Sequence, residues 1–370
     1  MRRILVTGGA GFIGSHLVDR LLDDGHSVRV LDALSVQVHP DEQWPDYLNG
    51  DAERIRGDVR DAAVVRKALE GIDAVYHLAA VVGVGQSMYE MARYTGINSL
   101  GTAALLEALI AHPVEKLIVA SSMSVYGEGR YRTPDGKLVD HISGSLNQLR
   151  SRQWELVDER GDELEPIPTP EEKQPGLASV YALTKYDQER LCLITGRAYG
   201  IPVMALRFFN VYGPRQALSN PYTGVMAIFA SRCLRGRSPV VFEDGRQKRD
   251  FVSVHDVAHA CKLALEVPGD VNTVVNIGSG RPITILEVAR LIGTLVSERQ
   301  NEPLVTGQYR SGDIRHCFAD VGRAQQVLGF RPRIPLEQGL VELAEWLQHQ
   351  PASPQMELAT EQLNKSGLTI

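Results

Sequence analysis

Short apolar runs alternate with amphipathic stretches through the first third of the chain. Runs at 4–6, 28–31, 74–78 and 117–120 are separated by helix-period segments at 15–22, 63–69 and 101–110. Apolar runs of that length, bounded by glycines and charges, predict strand–helix–strand units and a parallel sheet with helices on both faces. From 128 to 178 the pattern breaks into a polar, charge-rich stretch punctuated by Pro166, Pro168 and Pro170. It reads as a long insertion without a core of its own. Helical spacing returns at 181–199 and a strand-like run follows at 203–208. After Asn210 the segments become shorter and more mixed, which predicts a larger unit over 1–210 and a smaller lobe over 211–350, partly interleaved. The polar 351–370 reads as a peripheral helix or frayed tail.

The length of 370 residues exceeds one ordinary core and agrees with that division. The formal net charge of −6 offers no basic surface for nucleic acid, so an anionic ligand must be met by local cations. Cys192, Cys233, Cys261 and Cys317 lie far apart with no metal-ligand spacing, so no metal site and a reducing, cytoplasmic setting are expected. Met1-Arg2-Arg3-Ile4-Leu5-Val6 leads straight into a glycine turn, so no secretory leader is expected. No run reaches the roughly twenty apolar residues of a membrane span.

Thr7-Gly8-Gly9-Ala10-Gly11-Phe12-Ile13-Gly14 joins the first strand to an amphipathic helix. Glycines there permit a tight turn, close approach of backbone to a pyrophosphate and close helix–strand packing, with the helix N-terminus facing the negative charge. A plain strand–helix turn can carry the same triplet. The second strand, however, ends at Asp32, at the separation where an acid binds adenosine ribose hydroxyls. Asp32 would repel a 2′-phosphate and Ala33 supplies no cation, which favours NAD over NADP.

Tyr181 and Lys185 are four apart at the start of the long helix and so share a face. A tyrosine near its ordinary pKa of roughly 10 is a poor base at neutral pH, but a neighbouring ammonium favours the phenolate. The strand at 117–120 runs into Ser121 and Ser122, hydroxyls at the end of the sheet where open α/β folds place ligands. His16 and His77 lack ligand-spaced partners and read as packing or backbone-bonding residues.

With these motifs together, the chain resembles the extended short-chain dehydrogenase/reductases, in their NAD-dependent epimerase/dehydratase branch, over roughly residues 1–328. The resemblance implies a Rossmann-type sheet, a smaller substrate-binding α/β lobe, bound NAD and a nucleotide-diphosphate sugar as substrate. Gly8, Gly11, Phe12, Ile13 and Gly14 correspond to the cofactor turn. Asp32, Asp58, Val59, Leu78, Ala79, Ala80, Asn98 and Ser121, with Tyr181 and Lys185, complete the implied cofactor contacts. Tyr181, Lys185 and Ser122 are the implied catalytic residues. Ser87, Ser122, Asn210, Arg215, Arg249 and Arg310 are the implied substrate contacts, the arginines serving the diphosphate. A homodimer is implied as well.

Relatives that dehydrate the sugar carry Asp-Glu before Val-Tyr-Gly, and decarboxylating ones keep a Glu at the second position; this chain has Met123-Ser124. What remains complete is the apparatus of reversible hydride transfer, which in this branch implies 4-epimerisation through a 4-keto sugar. The segments 31–39 and 78–102 are most similar to epimerases of dTDP-linked 6-deoxyhexoses. Cys317 stands where related enzymes carry either a bulky tyrosine or a smaller residue, which implies a roomy sugar pocket and keeps UDP-hexose, UDP-N-acetylhexosamine and UDP-uronate open. A 4-keto-sugar reductase and a non-catalytic NAD sensor are the alternatives; retention of both Tyr181 and Lys185 argues against the sensor.

Overall fold

The computed structural model describes residues 1–217, 224–269, 271–296, 301–309 and 313–350. Seven strands form one parallel sheet: β1 Arg3–Thr7, β2 Ser27–Asp32, β3 Glu53–Arg56, β4 Ala74–His77, β5 Lys116–Ser122, β6 Val203–Phe208 and β7 Thr273–Ile277. Their spatial order is β7-β6-β5-β4-β1-β2-β3. The chain runs outward from β1 through β3, returns to the other side of β1, and runs outward again through β7, as a doubly wound sheet does.

Alternation of side chains divides the core between the two faces. Ile4, Val6, Ile118 and Leu206 pack with Leu17 and Leu21 of α1 (Phe12–Asp23) and with Val257 and Cys261 of the helix Val254–Glu266. Leu5, Leu117 and Val203 pack on the opposite face with α2 (Ala62–Leu69), α3 (Gly101–Ala111) and Cys192 of α4 (Val180–Tyr199). Strand β3 is invisible to apolar patterning because its Glu-Arg-Ile-Arg sequence lies at the sheet edge and is mostly exposed. Residues 254–266 and 273–277 belong to this layer although they follow Asn210 in sequence.

A smaller lobe surrounds a separate cluster that includes Tyr212, Phe229, Val288, Leu340 and Leu343. Its sheet contains Asn210–Tyr212, Lys248–Ser253, Pro282–Thr284 and His316–Cys317.

The insertion at 128–178 differs from the sequence expectation. Arg130–Arg132, Leu138–Val139 and Glu165–Ile167 form a three-stranded antiparallel sheet, and Tyr131, Leu156 and Leu164 close a small core of their own. The apolar residues are too sparse to show a period, so only tertiary pairing reveals them. The insertion also docks on the smaller lobe. Thr169 N–H donates to Phe318 O at 2.8 Å, and the buried Arg315 guanidinium pairs with Glu155 as well as with Glu243 at 2.8 Å and Asp244 at 2.7 Å. His316 Nε2 donates to Glu155 at 2.8 Å while its Nδ1 accepts the Lys248 N–H at 3.0 Å. The 351–370 tail lies outside the described residues.

Candidate active site

At the carboxyl end of β1 the chain turns into α1 through Gly8, whose φ of 72° favours glycine. A Cβ on Gly8 would stand 2.8 Å from Ala79 N, and one on Gly14 would stand 2.3 Å from Gly8 O. Gly11 caps α1 with no side-chain bond, leaving first-turn N–H groups for a ligand. Asp32 ends β2 and accepts the Ala10 N–H at 3.0 Å and the Leu34 N–H at 2.9 Å. Burial pushes its carboxyl up, against the pull of these amides and of nearby His39.

A cavity of about 490 Å³ extends from this turn across the ends of β4 and β5. Gly8, Gly11, Phe12, Ile13, Gly14, Asp32, Asp58, Val59, Leu78, Ala79, Ala80, Ser121, Ser122, Tyr181, Lys185 and Asn210 all line it. Tyr181 and Lys185 sit in the first turns of α4, which is N-capped by Ser179 accepting the Ala182 N–H at 3.1 Å. Burial raises the Tyr181 phenol, while a hydrogen bond with the Ser122 hydroxyl lowers it. Ser122 Oγ also lies 3.2 Å from Ser124 Oγ. Burial lowers Lys185 to about 8. Its ammonium donates to Gln188 Oε1 at 2.6 Å, and Gln188 Nε2 donates to Thr102 Oγ1 at 2.9 Å. A tyrosine, a hydroxyl and a depressed ammonium meet at the sheet end, the group types that proton transfer requires.

Five residues that the sequence assigns to the site are not among those lining the cavity. Asn98 lies in a π-helical segment, Thr95–Leu100, where it is fully buried and holds Val81 N–H at 2.8 Å, Val81 O at 3.1 Å and Thr184 Oγ1 at 3.0 Å. It ties the cavity wall to α4 instead of lining the cavity. Ser87 is buried with its hydroxyl on Val84 O at 2.6 Å. Arg215 pairs with Asp19 at 2.7 Å and lies over the Tyr47 ring at 5.5 Å. Arg249 donates to the carbonyls of Lys248 and Arg315 at 3.0 Å each, and to that of Ile314. None of these four is on the cavity wall, because each polar head has found an acceptor or donor within the protein. Arg310 lies outside the described residues.

The sequence reading of Cys317 also changes. Its side chain is fully buried against Met123, Tyr126 and Phe209, with Sγ 3.9 Å from Thr169 Oγ1, and does not reach the cavity. The insertion thus occupies space beside the small residue. His77 bridges Thr7 Oγ1 and Thr102 Oγ1 at 2.8 Å each, and His16 meets Pro214 O at 3.1 Å. Burial lowers both to about 3, so each is neutral.

Sequence reasoning passed over Gln188, Gln216, His39 and Arg93. Gln188 was accessible by extending the Tyr181–Lys185 face by three residues. Gln216 lines the cavity, and its Oε1, like Asn210 Oδ1, is buried without a hydrogen-bond partner among the described residues. No sequence signal marks these two unpartnered acceptors.

The sequence profile of the NAD dependent epimerase/dehydratase family matches residues 4–145 and 159–278. A dTDP-L-rhamnose 4-epimerase of Burkholderia thailandensis is 37% identical over 94% of this chain and 95% of its own length. A putative UDP-glucose 4-epimerase of Methanocaldococcus jannaschii is 32% identical over 94% of this chain and 98% of its own. Among solved structures, UDP-glucose 4-epimerase of Thermotoga maritima with UDP-glucose matches with a TM-score of 0.77 and 34% identity, covering 94% of this chain and 98% of that one.

Proposed function

The chain belongs to the NAD dependent epimerase/dehydratase family, and from that premise we propose that it is an NAD-dependent 4-epimerase of a nucleoside-diphosphate-linked sugar. The observation that carries this reading is the meeting of Tyr181, Ser122 and Lys185 with the glycine turn in one cavity. The residues fit NAD: no Cβ is tolerated at Gly8 or Gly14, α1 offers open amides, and Asp32 marks the ribose end. NAD, when bound, supplies a reversible acceptor for hydride.

Tyr181 is placed to take the proton of the sugar 4-hydroxyl, with Ser122 hydrogen-bonded to its phenol and Lys185 favouring the phenolate. The resulting 4-keto sugar turns within the cavity and is reduced from the other face, with Tyr181 returning the proton. The buried acceptors Asn210 Oδ1 and Gln216 Oε1 suit hydroxyl or amide donors of the substrate. Among the described lining residues the only lysine and arginine are Lys185 and Arg93, and Arg93 is held by Glu90 at 2.7 Å and Gln37 at 2.8 Å. Beyond Ser122 and β4 the wall includes the uncharged stretch Val81, Val82, Gly83, Val84, Met123 and Ser124. That uncharged lining supports a neutral sugar over a uronate, and its valines support a 6-deoxyhexose, as does the likeness to a dTDP-L-rhamnose 4-epimerase.

The test is incubation of dTDP- and UDP-linked hexoses with catalytic NAD. Interconversion of 4-epimers without net cofactor change is expected, and Tyr181→Phe should lose roughly 10²-fold or more of turnover while still binding NAD. A stoichiometric demand for NADH would replace the reading with a 4-keto reductase.

A homodimer is part of the proposal, because Leu183 and Ile194 on α4 and Leu100 and Ile110 at the two ends of α3 are exposed. Light scattering should give twice the chain mass and Ile194→Asp should weaken association; a monomer at micromolar concentration would exclude it. Four free, buried cysteines suit a cytoplasmic setting. Among the described residues, no helix is long and apolar enough to cross a membrane.

A further inference from the structure

Strands β2 and β4 flank β1 on opposite sides, so their carboxyl ends stand roughly 10 Å apart with the glycine turn between them. The segments that leave these two ends, residues 33–39 and 83–94, meet again across that turn. Gln37 Nε2 donates to Gln86 Oε1 at 2.9 Å, and Arg93 Nη2 donates to Gln37 Oε1 at 2.8 Å. Glu90 fixes both partners, accepting Gln86 Nε2 at 2.9 Å and Arg93 Nη1 at 2.7 Å. Tyr94 OH donates to Gln86 Oε1 at 3.2 Å, and its ring meets that of Tyr181 edge-on with centroids 6.4 Å apart. Gln37 and Arg93 both line the main cavity, so the bridge between them belongs to its wall. Val36, Val82 and Val84 on the two arms are exposed, which leaves hydrogen bonds more than core packing to carry the closure. Each arm starts at a residue of positive φ, Leu34 at 52° and Gly83 at 141°, and loop positions of that kind absorb the backbone rotation of a hinge. On the first arm His39 lines the cavity beside Asp32, and its buried Nε2 has no hydrogen-bond partner among the described residues. That nitrogen leaves a position for a ligand hydroxyl.

We propose that residues 33–39 and 83–94 form a strap across the cofactor turn, closed by Gln37, Gln86 and Arg93, which must open for NAD to enter or leave. The inference rests on NAD as the cofactor and on no particular sugar. A closed strap slows association and release alike, because both pass through the same opening. For the reaction proposed above, in which one hydride leaves the sugar and returns within each turnover, the strap keeps the same cofactor in place from cycle to cycle. Through Tyr94 the closed strap also buttresses Tyr181.

The experiment follows the fluorescence of NADH bound to the full chain as it is chased with excess NAD, and reads association from NADH mixed with cofactor-free chain. No sugar is present, so the outcome is independent of which reaction the protein performs. Gln37→Ala removes the bonds to Gln86 and to Arg93 in one step. It should raise both rate constants about tenfold and leave Kd within about twofold of the wild type, which also shows that the variant is folded. Arg93→Met, which drops the guanidinium and keeps an unbranched stem, should raise release as well. Rates equal to those of the wild type would overturn the proposal. So would a change in one rate alone, which would make Gln37 a direct cofactor contact and not part of a gate.

Discussion

At the residue scale, the Lys185 ammonium owes its orientation to Gln188, whose own amide is fixed by Thr102 and lies 3.2 Å from His77 Nε2. A carbonyl acceptor favours the charged form of a buried amine. Glu189 and Cys192 also face Lys185 and push its value up, while burial brings it to about 8. Gln188→Leu removes the acceptor, so Lys185 loses its proton at lower pH and the alkaline limb of kcat should move acidward by about one unit. A merely structural role would lower the melting temperature and leave that limb in place. Tyr181, Lys185 and Ser122 were legible in the sequence because helix period and strand end dictate where they point. Arg215 and Arg249 were not, since a long side chain turns toward whatever acceptor the tertiary structure offers, here Asp19 and three carbonyls.

At the scale of elements, α4 carries Tyr181 on its first turn, the part of a helix most prone to fray. Ser179 counters this by accepting the Ala182 N–H immediately beside Tyr181. Ser179→Ala should cost about 1 kcal/mol of unfolding free energy, read from urea denaturation, and should raise amide exchange at 181–183; unchanged exchange there would refute the capping role. Helices α1 to α4 and strands β1, β2, β4, β5 and β6 follow from apolar period alone. Other elements do not. Strand β3 is polar because it is an edge, the insertion's sheet is held by pairing more than by apolar content, and the π-helical turn at Thr95–Leu100 is set by Asn98 reaching Val81 and Thr184. A π turn at a functional site is a recurrent device, but its extra residue leaves no mark on hydrophobic spacing.

At the scale of the whole molecule, the insertion and the smaller lobe are joined through charge. Although burial pushes Glu155 up, hydrogen bonds from His316 and Arg315 hold it down at about 2. Unfolded, it would titrate near 4.5. Between these values the unfolded chain binds a proton that the folded chain does not, so stability from Glu155 is complete above the higher value and is lost as pH falls through the lower. Urea midpoints of wild type and Glu155→Gln should therefore differ at neutral pH and converge across that acid window; a constant gap would disprove the linkage. The sequence expectation divides the chain at Asn210, whereas the structure returns the helix Val254–Glu266 and β7 to the larger layer, and this joint left no sequence signal because its partners are some 160 positions apart. That separation bears on synthesis. As the chain leaves the ribosome, residues 128–178 and the tyrosine-bearing helix emerge long before Arg315 and Phe318, so the insertion waits without its anchor. Domain-by-domain completion is closed to this protein, and a nascent chain halted before the last anchors appear is the form that most needs a chaperone.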